Sequence, residues 1–143
     1  MQMPHNAEAE AAVLGSVLID PRAINTLTLS ADDFYIGRNR TIYETMRRVD
    51  ASGAEIDLVT VSDALAAADK MSEVGPAYLM GLTNQVPTSL HIKHYAEIVA
   101  EAAMRRRVIE AASGVVRAAY ALDTPMDDAI GNAITALVTN VNG

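Results

Sequence analysis

The sequence predicts an all-α fold: a compact helical head followed by a long helical hairpin. Three observations predict it. Half of the residues are hydrophobic, mostly Ala, Leu, Val, Ile and Met with one Phe and no Trp, and Ala, Leu and Met lose little on entering a helix. Helix-start and helix-stop signals follow one another closely through the first part of the chain. No proline then lies between Pro87 and Pro125, and only Gly114 interrupts a helical pattern that runs to about Tyr120. The nearest thing to a strand, Ile56 to Val61, alternates over too few residues to compete with its helical surroundings.

The elements follow in order. Asn6 can cap a first helix whose apolar positions Ala11, Leu14, Val17 and Leu18 share a face. Gly15 in mid-helix costs ~1 kcal/mol against Ala, which a close helix approach would explain. Asp20-Pro21 gives an N-cap and an N1 proline for a short helix through Ile24 and Leu27. Ser30-Ala31-Asp32-Asp33 is a capping box with Asp in the Glu position. The next helix, near Asn39 to Val49, sets Ile42, Tyr43, Met46 and Val49 on one stripe and Arg40, Glu44, Arg47 and Arg48 on the other, with Gly53 as its stop. Asp57 caps a helix carrying Val61, Ala64, Leu65 and Ala68. Gly75-Pro76 starts another with Tyr78, Leu79 and Leu82, and Pro87 ends the region. Leu14, Phe34, Tyr35, Ile42, Tyr43, Leu65, Tyr78 and Leu79 are the expected core anchors of a head spanning 1–88.

From about Ser89 the pattern changes, and 89–143 is expected to form the hairpin. One stripe runs Ile92, Tyr95, Val99, Ala102, Ile109, Val116, Tyr120, and a second runs Ile98, Val108, Ala112, Val115, Ala119. Such a face is too wide for a single neighbouring helix. Thr124-Pro125-Met126-Asp127 then supplies a cap, an N1 proline and an acid at the third position, with Asp128 adding charge at the positive helix end. The last helix carries Ile130, Ala133, Ile134, Leu137, Val138 and Val141. The apolar surface exceeds what the hairpin itself can cover, so self-association is expected through Val99, Ile109, Val116, Ile130, Ile134, Leu137, Val138 and Val141.

Composition excludes several classes. There is no cysteine, which removes disulfides and Cys-ligated zinc. The start of the chain is not a signal peptide, and no apolar run approaches the ~20 residues needed to span a bilayer, so a soluble cytoplasmic protein without membrane contact is expected. With 11 Lys and Arg against 18 Asp and Glu the formal net charge is −7. Nucleic acid would be repelled at long range, and no direct DNA binding is expected. The eight glycines are scattered and none precedes a lysine, so no phosphate-binding loop is present. No catalytic residue, cofactor-binding residue or metal ligand is assigned.

The remaining candidates have plain structural readings. His91 and His94 lie three apart and could face one metal, but a third ligand is missing; a metal-dependent helical enzyme would rest on this pair alone. Glu8 and Glu10, two apart, do not face each other as a catalytic pair. Asp20, Asp32, Asp33, Asp57 and Asp127 occupy cap or first-turn positions. In Arg105-Arg106-Arg107, the only basic run, Glu101 can pair with Arg105 and Arg106 with Glu110, each four apart.

Five short blocks in order carry a resemblance. Ala9-Glu10 with Val13-Leu14-Gly15 comes first, then Asp33-Phe34-Tyr35 with Ile42-Tyr43, then Ile56-Asp57-Leu58-Val59-Thr60-Val61 with Leu65. Gly75-Pro76-Ala77-Tyr78-Leu79 with Leu82 follows, and then Ile92-Lys93-His94-Tyr95-Ala96-Glu97-Ile98-Val99 with Arg106-Arg107-Val108-Ile109. Together they resemble the N-terminal domain of DnaB-type replicative DNA helicases. Asn39 stands where that family usually has histidine, and proline replaces a glycine at Pro76. Asn39 could keep a hydrogen bond that histidine makes, without a charge that titrates near neutral pH.

The resemblance implies a non-catalytic collar domain of a hexameric helicase, a homo-oligomer whose hairpins pair between neighbours and which docks a DnaG-type primase. The ATPase motor, with its ATP and magnesium, would lie beyond Gly143. A stand-alone helical adaptor, for instance from a phage, that binds a helicase or primase without a motor is the alternative.

Overall fold

The computed structural model describes residues 2–142, with the side chains of Asn140, Val141 and Asn142 outside the described set. Seven α-helices occur among these residues: α1 (Ala7–Ile19), α2 (Gly37–Ala51), α3 (Leu58–Ala67), α4 (Met71–Val74), α5 (Pro76–Gly81), α6 (Ile92–Tyr120) and α7 (Met126–Asn142). Three short 3-10 turns, Pro21–Thr26, Ala31–Asp33 and Leu82–Asn84, link the early ones, and no strand is present among the described residues. Packing divides the chain into two compact units, one from His5 to Ala100 and one holding the residues up to Pro4 and from Glu101 onward.

The first unit is the helical head. Its core gathers Leu14, Ile24, Phe34, Ile42, Tyr43, Met46, Ile56, Leu65, Leu79 and Leu82, each less than 2% exposed. Ile92 and Val99, on the first part of α6, belong to the same core. The head therefore reaches Ala100 rather than stopping near 88, because the apolar stripe that opens α6 is consumed by the head. This corrects the expectation for Val99: at 1% exposure it is a core residue and has no surface to offer a partner.

Local signals account for the ends of these helices. Asn6 Oδ1 accepts from the Ala9 N–H at 2.9 Å, giving α1 its cap. Asp57 and Thr60 form a reciprocal box at the start of α3, with Thr60 N to Asp57 Oδ1 at 2.8 Å and Asp57 N to Thr60 Oγ1 at 2.9 Å. Asp69 ends α3 with φ 59°, and the Lys70 N–H reaches back to Leu65 O at 2.8 Å, the closure usually built with glycine. Gly53, at φ 87°, follows α2 as the expected stop.

The segment after Asp20 departs from expectation in detail. Pro21–Thr26 is a 3-10 turn, and Leu27 to Ser30 runs on extended, burying Leu27 and Leu29 while Thr28 and Ser30 face out. Alternation at this step buries both leucines, which one more helical turn could not do. Gly15 has a tangible reason to be glycine. A Cβ placed on it would lie 2.3 Å from the Leu82 carbonyl oxygen, so the close approach is between α1 and the 3-10 turn after α5.

The second unit is the hairpin of α7 with the later part of α6. The turn closes through Thr124 N to Ala121 O at 2.9 Å, and the first α7 bond runs from Ala129 N to Pro125 O at 3.2 Å. Glu110, Ala111, Gly114 and Val115 of α6 share a groove with Asp128, Ala129, Asn132, Ala133 and Ala136 of α7.

Candidate functional site

Two features of the molecule could carry function: a buried polar network in the head and an apolar face on the hairpin.

The network starts with Glu10. It lies at the head of the stripe Val13, Leu14, Val17 on α1, so helix periodicity carries its carboxylate into the core, where it is 1% exposed. A lone buried carboxylate is costly unless several donors meet it. Here Oε2 accepts from the Tyr35 N–H at 2.9 Å, and Oε1 accepts from the Ile36 N–H at 3.2 Å and from Asn39 Nδ2 at 3.0 Å. Ile36 precedes α2 and has no side chain able to cap it, and α2 has no acid in its first turn. Glu10 performs both tasks from a distant helix, placing negative charge at the positive end of α2.

Asn39 continues the chain of bonds. It is wholly buried, donates to Glu10 and accepts from the Tyr78 hydroxyl through Oδ1. The Arg38 guanidinium lies 3.6 Å from the centroid of the Tyr78 ring, a cation–π contact. Burial raises the Tyr78 hydroxyl above the ordinary value of 10.0, with the Arg38 charge opposing the rise. A second cluster holds the extended segment. The Tyr43 hydroxyl donates to Leu29 O at 2.9 Å, and Arg47 Nη2 donates to Tyr43 Oη at 2.6 Å and Leu27 O at 3.1 Å. Burial is again the main cause of a raised Tyr43 hydroxyl, with Arg47 offsetting it.

These groups tie α1, α2, α5 and the extended segment together. Their hydrogen bonds are spent on the backbone and on each other, with no nucleophile set beside a base. Among the described residues no group of three or more His, Asp or Glu side chains is placed to hold a metal ion. His91 and His94 are both exposed.

The expected head anchors divide. Leu14, Phe34, Ile42, Tyr43, Leu65 and Leu79 are in the core, and Tyr78 is half-buried against it. Tyr35 is not an anchor: it is 37% exposed and stacks on His5 with ring centroids 4.5 Å apart. Only its backbone N–H serves the interior, through Glu10. In the basic run, Arg105 pairs with Glu101 at 3.2 Å as expected. Arg106 is buried and donates to Pro4 O at 2.9 Å, so it is not a surface cation.

On the hairpin, Ile109, Val116, Ile130, Ile134 and Val138 are exposed, and Val108 and Met126 with them. Leu137 is half-buried, in line with Ala129 and Ala133, on the side of α7 that lines the groove with α6. The side chain of Val141 lies outside the described residues. In the hairpin part of α6, from Ala111 on, Ala111, Val115 and Ala118 are half-buried, as are Ser113 and Gly114, and on α7 Ala129, Ala133 and Leu137 are. On both helices the exposed apolar stripe sits one residue later: Ala112, Val116 and Ala119 on α6, and Ile130, Ile134 and Val138 on α7. One residue is a turn of about 100° about the axis. In two antiparallel helices facing each other, that rotation carries both stripes to the same side. The hairpin thus presents one continuous apolar face two helices wide.

A helical head with a polar lock and a hairpin with an exposed apolar face together define an all-helical domain. Residues 2–101 match the family model described as the DnaB-like helicase N terminal domain, and the chain belongs to that family. It is 38% identical over 133 residues to the replicative DNA helicase DnaC of Bacillus subtilis, covering 91% of this chain. It is also 38% identical over 127 residues to the replicative DNA helicase DnaB of Geobacillus stearothermophilus, covering 87% of this chain. The match spans only 29% and 28% of those two proteins. Among solved structures, the N-terminal domain of DnaB helicase from Mycobacterium tuberculosis superposes with a TM-score of 0.90 at 31% identity, covering 96% of this chain and 99% of that one. A DnaB-like replicative helicase, described with its interactions with primase, gives 0.76 at 27% identity over 94% of this chain and 31% of that chain.

Proposed function

We propose that this chain is the non-catalytic collar domain of a replicative helicase, acting in assembly and docking. Its hairpin pairs with the hairpin of a second copy within a hexamer, and the collar offers a surface to a DnaG-type primase. The observation that carries the reading is the two-helix apolar face of Ala112, Val116 and Ala119 with Ile130, Ile134 and Val138. Soluble monomers rarely leave so continuous an apolar surface open, and a face of this kind closes when the same face of a twofold partner meets it. Primase docking draws its support from the matched helicase described with primase. ATP, magnesium and translocation on single-stranded DNA belong, in this reading, to a motor domain of the parent protein. A cytoplasmic site of action fits such a role, and no described helix is long and apolar enough to cross a membrane.

Light scattering across a concentration series tests the assembly part. Mass rising to at least a dimer is expected, and a monomer at high concentration would count against pairing. Calorimetry with ATP and magnesium tests the collar part. No specific nucleotide binding is expected, because no glycine-rich loop precedes a lysine anywhere in the chain.

A further inference from the structure

The turn end of the hairpin is unlike the face just described. Leu122 is 97% exposed and Tyr120 is 84% exposed, the two most open large apolar side chains among the described residues. Both sit at the bend that Thr124 N closes onto Ala121 O, where a loop gains nothing for its own fold from an apolar side chain. Asp123, Asp127 and Asp128 stand around them, all exposed. No Lys or Arg occurs after Arg117, so no basic side chain of the last helix answers the three carboxylates. The tip combines apolar anchors with a local excess of negative charge, three carboxylates against Arg117 one turn before it.

We infer that this tip, from Tyr120 to Asp128, docks a positively charged protein segment bearing apolar side chains. Charge decides among the possible occupants. A second copy would bring three more carboxylates against three, and nucleic acid would bring phosphates, so both are repelled. A single metal ion needs converging ligands, and no such group occurs among the described residues. A basic segment with Leu- or Phe-like side chains answers both halves of the surface. Its cations spread over carboxylates that do not converge, and its apolar side chains cover Leu122 and Tyr120. Complementary charge would speed and orient the encounter, while the apolar anchors would hold the complex. The inference needs neither hairpin pairing nor a particular partner, since the tip lies beyond the Ile130, Ile134, Val138 stripe.

The probe is a synthetic amphipathic peptide of lysine and leucine at helical spacing, with a version carrying glutamate for lysine as control. Backbone amide shifts of the whole chain are followed by NMR during titration. The expected result is that shifts induced by the lysine peptide concentrate between Arg117 and Ile130. Raising salt to ~0.5 M, where screening acts within a few ångströms, should weaken binding at least about tenfold. Leu122→Ser should weaken it about tenfold at low salt, as should the triple variant Asp123→Asn, Asp127→Asn, Asp128→Asn. Circular dichroism and solution mass should stay at wild-type values, which separates loss of docking from loss of fold or of pairing. Shifts centred on the head, equal binding of the glutamate peptide, or full affinity in Leu122→Ser would each overturn the inference.

Discussion

Glu10 shows how one side chain can serve a helix it does not belong to. Its carboxylate answers two backbone N–H groups and the Asn39 amide at the start of α2, so Glu10→Ala removes the acceptor from one buried and two part-buried donors. A loss of roughly 3 kcal/mol or more is expected, since each orphaned donor costs about 1–3 kcal/mol; urea unfolding would measure it. Gly15→Ala pits two effects against each other. Alanine favours a helix by ~1 kcal/mol, but its Cβ would meet the Leu82 carbonyl at 2.3 Å, and overpacking of this kind costs about 1–3 kcal/mol. Because the obstacle is backbone, net destabilisation is expected in the same assay. Tyr78 makes a pH prediction. Burial raises its hydroxyl above 10.0, so the folded state holds the proton more tightly than the unfolded chain. That contribution is complete below about pH 10 and is lost as pH rises from there through the raised folded-state value. Melting temperature should fall above pH 10, less steeply in Tyr78→Phe. Much of this was half-legible in the sequence. An acid on the stripe of Val13, Leu14 and Val17, and a helix start at Ile36-Gly37 with no cap of its own, are both visible signals. Joining them requires knowing that α1 passes the start of α2, which no spacing along the chain reveals.

At the scale of elements, helix starts were the most legible feature, because a cap is a local arrangement. Asn6 and Asp57 cap where their sequence context indicates. The hairpin was legible from the long proline-free run and its following start signal. The division of labour along α6 was not. Its stripe continues unbroken from Ile92 past Val99 to Ile109 and Val116, yet the head buries the early members and leaves the later ones exposed. Periodicity tells which residues share a face and is silent on where along the helix the covering partner ends. The same holds for α7, where Leu137 and Ile134 both recur at helical spacing. Leu137 is half-buried on the side toward α6, while Ile134 is 56% exposed in the middle of the open stripe. Ile134→Asp is therefore the cleaner probe of pairing. A charge at an exposed position leaves the hairpin folded, but in a dimer it would be buried without a partner, costing several kcal/mol. Light scattering should shift Ile134→Asp towards monomer by at least about tenfold in dissociation constant while helicity by circular dichroism is unchanged. Wild-type mass in that variant would move the pairing surface elsewhere.

For the whole molecule, charge is the most informative property. Eighteen acids against eleven bases leave a net charge of −7. If the chain is the proposed collar beside a motor on single-stranded DNA, a net negative charge would keep it from competing for that strand. The one feature that could defeat this is Arg105-Arg106-Arg107. Arg105 pairs with Glu101, and Arg106 donates to the Pro4 carbonyl from a buried position. A phosphate would have to break an ion pair or draw out a buried guanidinium. Counterion release rewards each phosphate neutralised, and here few cations remain to do it. No measurable binding to single- or double-stranded DNA is therefore expected at physiological salt by fluorescence anisotropy. Lowering the salt should expose at most weak association, because the long-range repulsion grows as screening falls. Tight binding at physiological salt, abolished by Arg105→Glu with Arg107→Glu, would show that the basic run serves nucleic acid after all.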